Sequence, residues 1–309
     1  MITFYKTIDG NIIHINEYEP DCWVSCISPS NEEATLLTEK FEISTDFLRA
    51  SLDEEESPHI DYDHKNTLII IDIPIRNSKN EGIGYNTMPL GVILTNENVV
   101  TVCLKQNEIL DEISRGVVRG VYTGLRSHFV LHIMLRVATK FLQNLKQIDK
   151  MSDQIEIELR RSMRNKELIQ LLEVEKSLVF FSASLKANEG TLEKIMRGRI
   201  VKLYEEDKEL LEDVLIEIKQ AIEMSGIYLN ILSGTMDAFA SVISNNLNIV
   251  MKVLASITLL MSIPTVISGF YGMNMRPDLP FSNVMWFPFV LSAILMAIAG
   301  FILKKCNML

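Results

Sequence analysis

The chain has 309 residues, 48% of them hydrophobic, and a formal net charge of −10. This length allows one large domain or two smaller ones, each with a real core. Four basic residues and one acid lie from residue 250 onward, so residues 1–249 carry a net charge of −13. This charge argues against nucleic acid as a partner. It is consistent with cations as ligands, and equally with an acidic surface that keeps the protein solvated.

Proline residues divide the chain into three parts. Five lie between Pro20 and Pro89, none lies from Leu90 to Ile263, and four lie from Pro264 to Pro288. Because proline breaks a helix interior at a cost of about 3 kcal/mol, we expect the long helices in the proline-free middle.

Residues 1–125 are predicted to form an α+β domain, a small mixed sheet with helices, on the cytoplasmic side. Asp9-Gly10 is a two-residue hairpin signal between strands at 2–7 and 11–15. Ser30 and Glu33 form a capping box that begins a short helix, and a second helix is expected near Thr45–Leu52. Apolar, β-branched runs predict further strands at Leu68–Ile75, Gly91–Leu94 and Val99–Leu104.

This first domain carries no signature of an enzyme. It has no glycine-rich phosphate loop, no paired catalytic carboxylates and no serine or cysteine nucleophile motif, so we expect neither catalysis nor an organic cofactor. The acidic run Asp53–Glu56 either binds a cation or is a solvated helix end or loop, and we favour the second interpretation. The four cysteines have neither disulfide nor zinc spacing.

Residues 126–249 are predicted to be helical and to include a long stalk helix. Apolar residues follow alternating steps of four and three over four heptads, at Leu211, Leu215, Ile218, Ile222, Ser225 (polar), Leu229, Leu232, Met236, Phe239 and Ile243. One helix from about residue 195 to 270 would be roughly 110 Å long. It needs other helices of the same chain, and of neighbouring subunits, to cover its apolar seam.

Two stretches near the end of the chain lack charged residues, namely Val253–Met275 and Leu279–Phe301. Each exceeds the roughly 20 apolar residues that cross a bilayer, although a pair of long buried core helices is the alternative. We predict transmembrane helices at 250–270 and 284–303, an external loop at 271–283 and a cytoplasmic tail at 304–309. The beginning of the chain does not resemble a signal peptide, and Lys252 with Lys304-Lys305 predicts that both termini are cytoplasmic in a plasma or inner membrane.

Between these two spans lies Tyr271-Gly272-Met273-Asn274. With this motif directly after the first span, the chain resembles the CorA family of magnesium transporters, in motif over about residues 245–305 and in layout throughout. The resemblance implies a funnel-shaped homopentamer with one pore-lining helix per subunit. It also implies that the motif forms the external pore mouth.

The residue types of the motif suit a hydrated magnesium ion. Mg²⁺ dehydrates reluctantly, so a ring of oxygens that accept hydrogen bonds from its bound water is expected to select it. Asn274 supplies an amide oxygen, and Gly272 allows the backbone to turn so that its carbonyl groups face an axis. Alternatively, Gly272 simply ends the helix and Asn274 caps a turn.

One face of the first span has the spacing of a pore lining. Its members are Asn248, Met251, Leu254 (or Ala255), Thr258, Ser262 and Thr265. The sequence does not distinguish a pore face from an apolar packing face. The resemblance places Asn248, Met251, Leu254 and Thr265 on the pore axis, where Met251 and Leu254 would form a hydrophobic gate.

The resemblance further implies that cytoplasmic Mg²⁺ bridges acidic residues of neighbouring subunits and closes the channel. Asp213 is the best match by its distance from the motif, and Glu212 and Asp207 lie near it. Each is alternatively a solvated flank of the stalk.

We therefore predict a homo-oligomeric channel for magnesium uptake, driven by the membrane potential, with divalent metal ions and the lipid bilayer as partners. A zinc, cobalt or nickel transporter on the same scaffold is one alternative, although no His or Cys cluster lies in the spans. A membrane-anchored coiled-coil signalling or tethering protein is the alternative from another class.

Overall fold

The computed structural model describes residues 1–63, 65–76, 84–162, 165–197, 204–272, 286–306 and 308. The chain divides into two compact units, residues 1–234 and 235–309. The strands are β1 (Ile2–Ile8), β2 (Asn11–Ile15), β3 (Trp23–Ile27), β4 (His59–Tyr62), β5 (Thr67–Arg76), β6 (Tyr85–Leu94) and β7 (Val99–Cys103). The helices are α1 (Asn31–Phe41), α2 (Thr45–Ser51), α3 (Glu108–Ser114), α4 (Arg126–Ser162), α5 (Asn165–Met196), α6 (Glu205–Gly272) and α7 (Phe287–Lys305).

The described strands of the first unit form one mixed sheet in the order β2-β1-β3-β7-β6-β5-β4. Only the central pair, β3 with β7, is parallel, and the other pairs are antiparallel. The first hairpin forms as predicted, because Asp9 and Gly10 both take positive φ, 51° and 78°, which a two-residue turn of this kind requires.

One face of the sheet is covered by α1 and α2. Leu37 and Phe41 of α1, and Phe47 and Leu48 of α2, join a buried cluster with alternate residues of the strands. The predicted capping box begins α1, since Ser30 Oγ accepts from the Glu33 N–H at 3.2 Å and the Glu33 carboxylate accepts from the Ser30 N–H at 2.9 Å. The bond from the Ser30 N–H, followed by those from the N-terminal amine and the Ile2 N–H, lowers the pKa of Glu33.

Aromatic contacts join strands of this sheet to α4 and α5. The ring centroids of Trp23 in β3 and Phe129 in α4 are 5.4 Å apart. The ring of Phe181 in α5 contacts those of Tyr85 and Phe141, with centroids 5.8 and 4.9 Å away. Trp23, Phe129, Phe141 and Phe181 are fully buried. These rings hold the two long helices against the strands by burying large apolar areas.

Polar side chains of α5 complete the hydrogen bonding of β5 and β6 where neighbouring strands stop. The pairing of β4 with β5 ends at Ile70, and beyond that point Asn188 accepts from the Asp72 N–H at 2.8 Å and donates to the Asp72 carbonyl at 2.9 Å. Ser177 Oγ accepts from the Tyr85 N–H at 2.9 Å. Side chains of α5 thus provide hydrogen-bond partners for backbone groups of β5 and β6 that have no neighbouring strand.

Helix α6 follows the predicted seam. Leu211, Leu215, Ile218, Ser225, Leu232 and Phe239 are buried, and Ile222, Leu229 and Met236 are partly buried, whereas Ile243 is exposed. The predicted beginning near residue 195 is wrong, because residues 195 and 196 belong to α5 and Tyr204 is not yet helical. The described helix starts at Glu205, where three acids in its first turn complement the helix dipole.

This architecture confirms the predicted fold class, a mixed-sheet α+β domain followed by a long helix and two apolar C-terminal segments. The sheet is larger than predicted, because β4 and the first half of β6 have no strong β-branched signal. In the second unit, α7 follows the C-terminal part of α6.

Candidate functional site

The apolar parts of α6 and α7 are long enough to cross a membrane. Only 6% and 11% of these two stretches is buried inside the chain. The core helix of a soluble protein would be mostly buried, so the alternative of a long buried helix pair is inconsistent with this exposure. A surface of this size and apolarity needs a non-aqueous environment.

Within the second unit, one face of α6 lies toward α7. Ser256 is buried and its hydroxyl donates to the carbonyl of Met308 at 2.9 Å. Ile267 is buried as well, and the ring of Tyr271 lies 6.1 Å from that of Phe287. Leu260 and Ile263, which lie between Ser256 and Ile267 on the same face of α6, are partly buried.

The predicted pore residues lie on the opposite side of α6. At about 100° per residue, their mean direction is roughly half a turn from that of Ser256, Ile267 and Tyr271. All of them are exposed, with Met251 and Leu254 each 56% accessible. The set is Asn248, Met251, Leu254, Thr258, Ser262 and Thr265. The face that the spacing selects is thus left uncovered by the chain itself.

The hydroxyl groups of this face donate to their own helix. Thr258 Oγ1 donates to the Leu254 carbonyl at 2.9 Å, Ser262 Oγ to Leu259 at 2.8 Å and Thr265 Oγ1 to Met261 at 3.1 Å. Each oxygen then retains its lone pairs as acceptors. This face therefore carries hydrogen-bond acceptors and no charged side chain.

The Tyr-Gly-Met-Asn motif is described only in part. Tyr271 and Gly272 are the last two residues of α6. Met273 and Asn274, and with them most of the predicted external loop, lie outside the described residues.

The three predicted regulatory acids differ in their surroundings. Glu212 and Asp213 are exposed on α6, whereas Asp207 is 2% exposed. Asp207 Oδ2 accepts from Ser127 Oγ at 2.7 Å and from the Tyr204 N–H at 3.0 Å, and Oδ1 lies 3.1 Å from His128 Nδ1. A magnesium ion at Asp207 would share the carboxylate with these three partners, which occupy three of its roughly four acceptor positions.

Across all the described ranges, no group of three or more His, Cys, Asp or Glu side chains converges as a metal site. Asp53, Glu54 and Glu55 are exposed, and Glu54 accepts from Lys105 at 2.7 Å. Cys26 and Cys103 are buried free thiols, and burial raises the pKa of each to about 12.

Sequence spacing failed to single out one polar cluster. His128 and His132, one turn apart on α4, lie beside Asp207. The i,i+4 spacing of the two histidines was the available signal. What it did not show was that the carboxylate from α6, 75 residues further along the chain than His132, completes the cluster.

Comparison with known proteins relates the whole chain to one family. The family described as "CorA-like Mg2+ transporter protein" matches residues 21–305. The cobalt/magnesium transport protein CorA of Methanocaldococcus jannaschii is 27% identical over 294 residues, covering 92% of this chain and 90% of that protein.

Two solved structures share the fold. The complete structure of the CorA magnesium transporter from Methanocaldococcus jannaschii aligns with a TM-score of 0.81 at 24% identity, covering 99% of this chain and 96% of that one. The structure of the full-length CmaX protein aligns with a TM-score of 0.73 at 14% identity, covering 99% and 97%. The matched family segment includes most of the sheet and all of α6 and α7. The chain therefore belongs to the CorA-like Mg²⁺ transporter family, whose members are membrane transporters rather than enzymes.

Proposed function

We propose that this chain is the subunit of a homo-oligomeric channel for Mg²⁺ uptake, with α6 lining a central pore. The observation that carries the proposal is the uncharged face of α6 opposite α7, whose hydroxyl oxygens remain available as acceptors. The name of the Methanocaldococcus jannaschii relative, a cobalt/magnesium transport protein, supports a divalent cation as the substrate.

Selection takes place at the motif. A ring of Gly272 carbonyls and Asn274 amide oxygens accepts hydrogen bonds from the water bound to Mg²⁺, so the ion passes without losing its hydration shell. Tyr271 and Met273 belong to the same proposed pore mouth. A carboxylate ring would bind the ion more tightly and slow its release.

The gate lies nearer the cytoplasm, at Met251 and Leu254. Both side chains are apolar and more than half exposed in the single chain. When several copies bring these side chains together, the constriction excludes water and the hydrated ion.

Exposure along α6 supports an oligomer. Every residue from 240 to 255 is exposed, and this stretch includes Val242, Leu247, Val250 and Met251. Apolar area of this extent is stabilised when copies of the same helix cover one another, at about 25 cal/mol per Å². We propose a homopentamer, which is the assembly implied by the resemblance.

Orientation and energy follow from the charges. Lys252, Lys304 and Lys305 support an orientation in which both ends of the membrane-spanning part are on the cytoplasmic side of a plasma or inner membrane, with proposed spans at 250–270 and 284–303. Each elementary charge moved through 100 mV gains about 2.3 kcal/mol. A divalent ion gains roughly twice that, so the membrane potential alone drives uptake.

Regulation is assigned to the exposed acids of α6. Mg²⁺ bound at Asp213 and Glu212 would screen the repulsion between subunits and favour the closed state. Asp213→Ala is expected to reduce Mg²⁺-dependent protection from protease, whereas Asp237→Ala, also exposed on α6, should leave it unchanged. Equal protection in the two variants would remove Asp213 from the sensor.

The decisive experiment is Mg²⁺ flux into liposomes that contain the purified protein. We expect flux in the wild type, loss of flux in Asn274→Ala, and normal flux in Asn230→Ala, a matched change at an exposed position of α6 in the first unit. An impermeable but oligomeric wild type would contradict the channel and favour the tethering alternative. A competition series with Zn²⁺, Co²⁺ and Ni²⁺ identifies the preferred ion and tests the alternative transporters.

A further inference from the structure

The polar cluster beside the beginning of α6 contains two imidazole rings of α4, His128 and His132, which are in contact. His132 Nε2 lies 3.1 Å from His128 Nε2, and the two ring planes are 80° apart. His128 Nδ1 lies 3.1 Å from Asp207 Oδ1. Three side chains from two helices, α4 and α6, therefore form a line that ends at a pair of nitrogen atoms.

The hydrogen bonding sets the state of each ring. Because a carboxylate only accepts, His128 donates its Nδ1–H to Asp207, and its Nε2 is then free to accept from the Nε2–H of His132. His132 Nδ1 is left buried, and it has no hydrogen-bond partner within the described structure. Burial, and after it the neighbouring His128, lowers the pKa of His132 to about 4.

The separation of the two nitrogens fits a shared metal ion. With metal–nitrogen bonds of about 2.0–2.1 Å, two imidazole nitrogens lie about 2.9 Å apart at a right angle and about 3.3 Å apart at the tetrahedral angle. The observed 3.1 Å falls between these values. An ion between the two nitrogens would thus leave their separation nearly unchanged, and both rings would turn so that their lone pairs point at the ion.

The surroundings of the pair also resemble those of a ligand pair. A metal-binding histidine commonly donates its other N–H to a carboxylate, which orients the ring, and Asp207 is already in this position. Asp207 is itself fixed by Ser127 and by the N–H of Tyr204. Gly120 leaves room, since a Cβ there would lie 3.9 Å from His132 Nε2.

We propose that His128 and His132 bind a divalent transition-metal ion between their Nε2 atoms, with Asp207 as the carboxylate that orients His128 and water at the remaining positions. Nitrogen ligands favour Ni²⁺, Cu²⁺, Co²⁺ and Zn²⁺ over Mg²⁺, so this site is distinct from a pathway that selects hydrated Mg²⁺. On binding, His132 changes tautomer: the proton leaves Nε2 and Nδ1 takes one up, so the ring of His132 neither gains nor loses a proton overall.

The site couples metal binding to the beginning of α6. Asp207 joins the first turn of this helix to α4, and a bound ion would immobilise His128 and strengthen that connection. The proposal does not rest on transport, because Ni²⁺ binding and Mg²⁺ flux are separate measurements.

The test is titration of the full-length protein with Ni²⁺, in the absence of a histidine tag and in the presence of excess Mg²⁺ to occupy sites made of oxygen ligands. Cys306→Ser serves as the background, because Cys306 is an exposed free thiol. We expect one Ni²⁺ per chain, which His132→Ala and His128→Ala each abolish and which the control His59→Ala retains. Asp207→Asn should weaken binding by about 10- to 100-fold.

Thermal unfolding provides a second measurement that also checks the folding of the variants. Ni²⁺ should raise the Tm of the background protein, because a ligand of the folded state stabilises it, and it should leave the Tm of His132→Ala unchanged. His132→Ala is the decisive variant. His128 contacts Asp207 at the beginning of α6, so its removal also changes that contact, whereas His132 contacts His128. Absence of Ni²⁺ binding in the background protein, or undiminished binding in His132→Ala, would overturn the proposal.

Discussion

The two parts of α6 carry the same kind of apolar repeat and have opposite surroundings. In the first unit, Leu211, Ile218 and Leu232 are almost fully buried, whereas every residue from 240 to 255 is exposed. The chain itself covers the first part. Cover for the second part must come from outside the chain, which shows that an apolar seam predicts burial without specifying which molecule provides it.

The largest contrast is expected between two phenylalanines. Phe181 is fully buried between Tyr85 and Phe141, whereas Phe301 on α7 is 71% exposed. Phe181→Ala should lower the free energy of unfolding of the first unit by about 3–5 kcal/mol, through lost burial and the cavity that remains. Phe301→Ala should change it by no more than about 0.5 kcal/mol.

Trp23 fluorescence measures this contrast. Trp23 is buried in the first unit and Trp286 is exposed in the second, so a Trp286→Phe background leaves Trp23 as the single reporter. An equal loss of unfolding free energy in Phe181→Ala and Phe301→Ala would contradict the difference in burial between the two units.

A smaller effect is expected where a helix completes a strand edge. Asn188→Ala removes the partner of both the N–H and the carbonyl of Asp72, and each unpaired group costs about 1–3 kcal/mol. The same Trp23 transition measures the loss. Asn230→Ala, at an exposed position of α6, is the control, and an unchanged transition in Asn188→Ala would show that water replaces the side chain at no cost.

The smallest expected effect concerns the exposed part of α6. If Leu254 belongs to a hydrophobic gate, Leu254→Ser should raise Mg²⁺ flux severalfold under closing conditions, as expected when about 1 kcal/mol is taken off a barrier. Leu259→Ser is the matched control, because Leu259 is similarly exposed but lies on the flank of the helix. Equal Mg²⁺ flux in the two variants would show that Leu254 is exposed without forming part of a gate.

Local signals predicted much of the fold. The positive φ angles at Asp9 and Gly10, the reciprocal bonds of Ser30 and Glu33, and the burial along α6 each follow from residues close together in the chain. The beginning of α6 did not, because Asp207 is held there by Ser127 and His128, about 80 residues earlier. The parallel pairing of β3 with β7 likewise joins strands that are far apart in sequence.

By itself the sequence determined the hairpin, the caps, the helical seam and the two apolar spans, because each depends on periodicity or on a few adjacent residues. It also carried the Tyr271–Asn274 motif and the spacing of the candidate pore face. Only the tertiary structure decided which face of α6 packs toward α7, which carboxylate meets His128, and how the edge of β5 is satisfied. Those contacts depend on the positions of side chains brought together by packing of distant segments, and no local pattern encodes them.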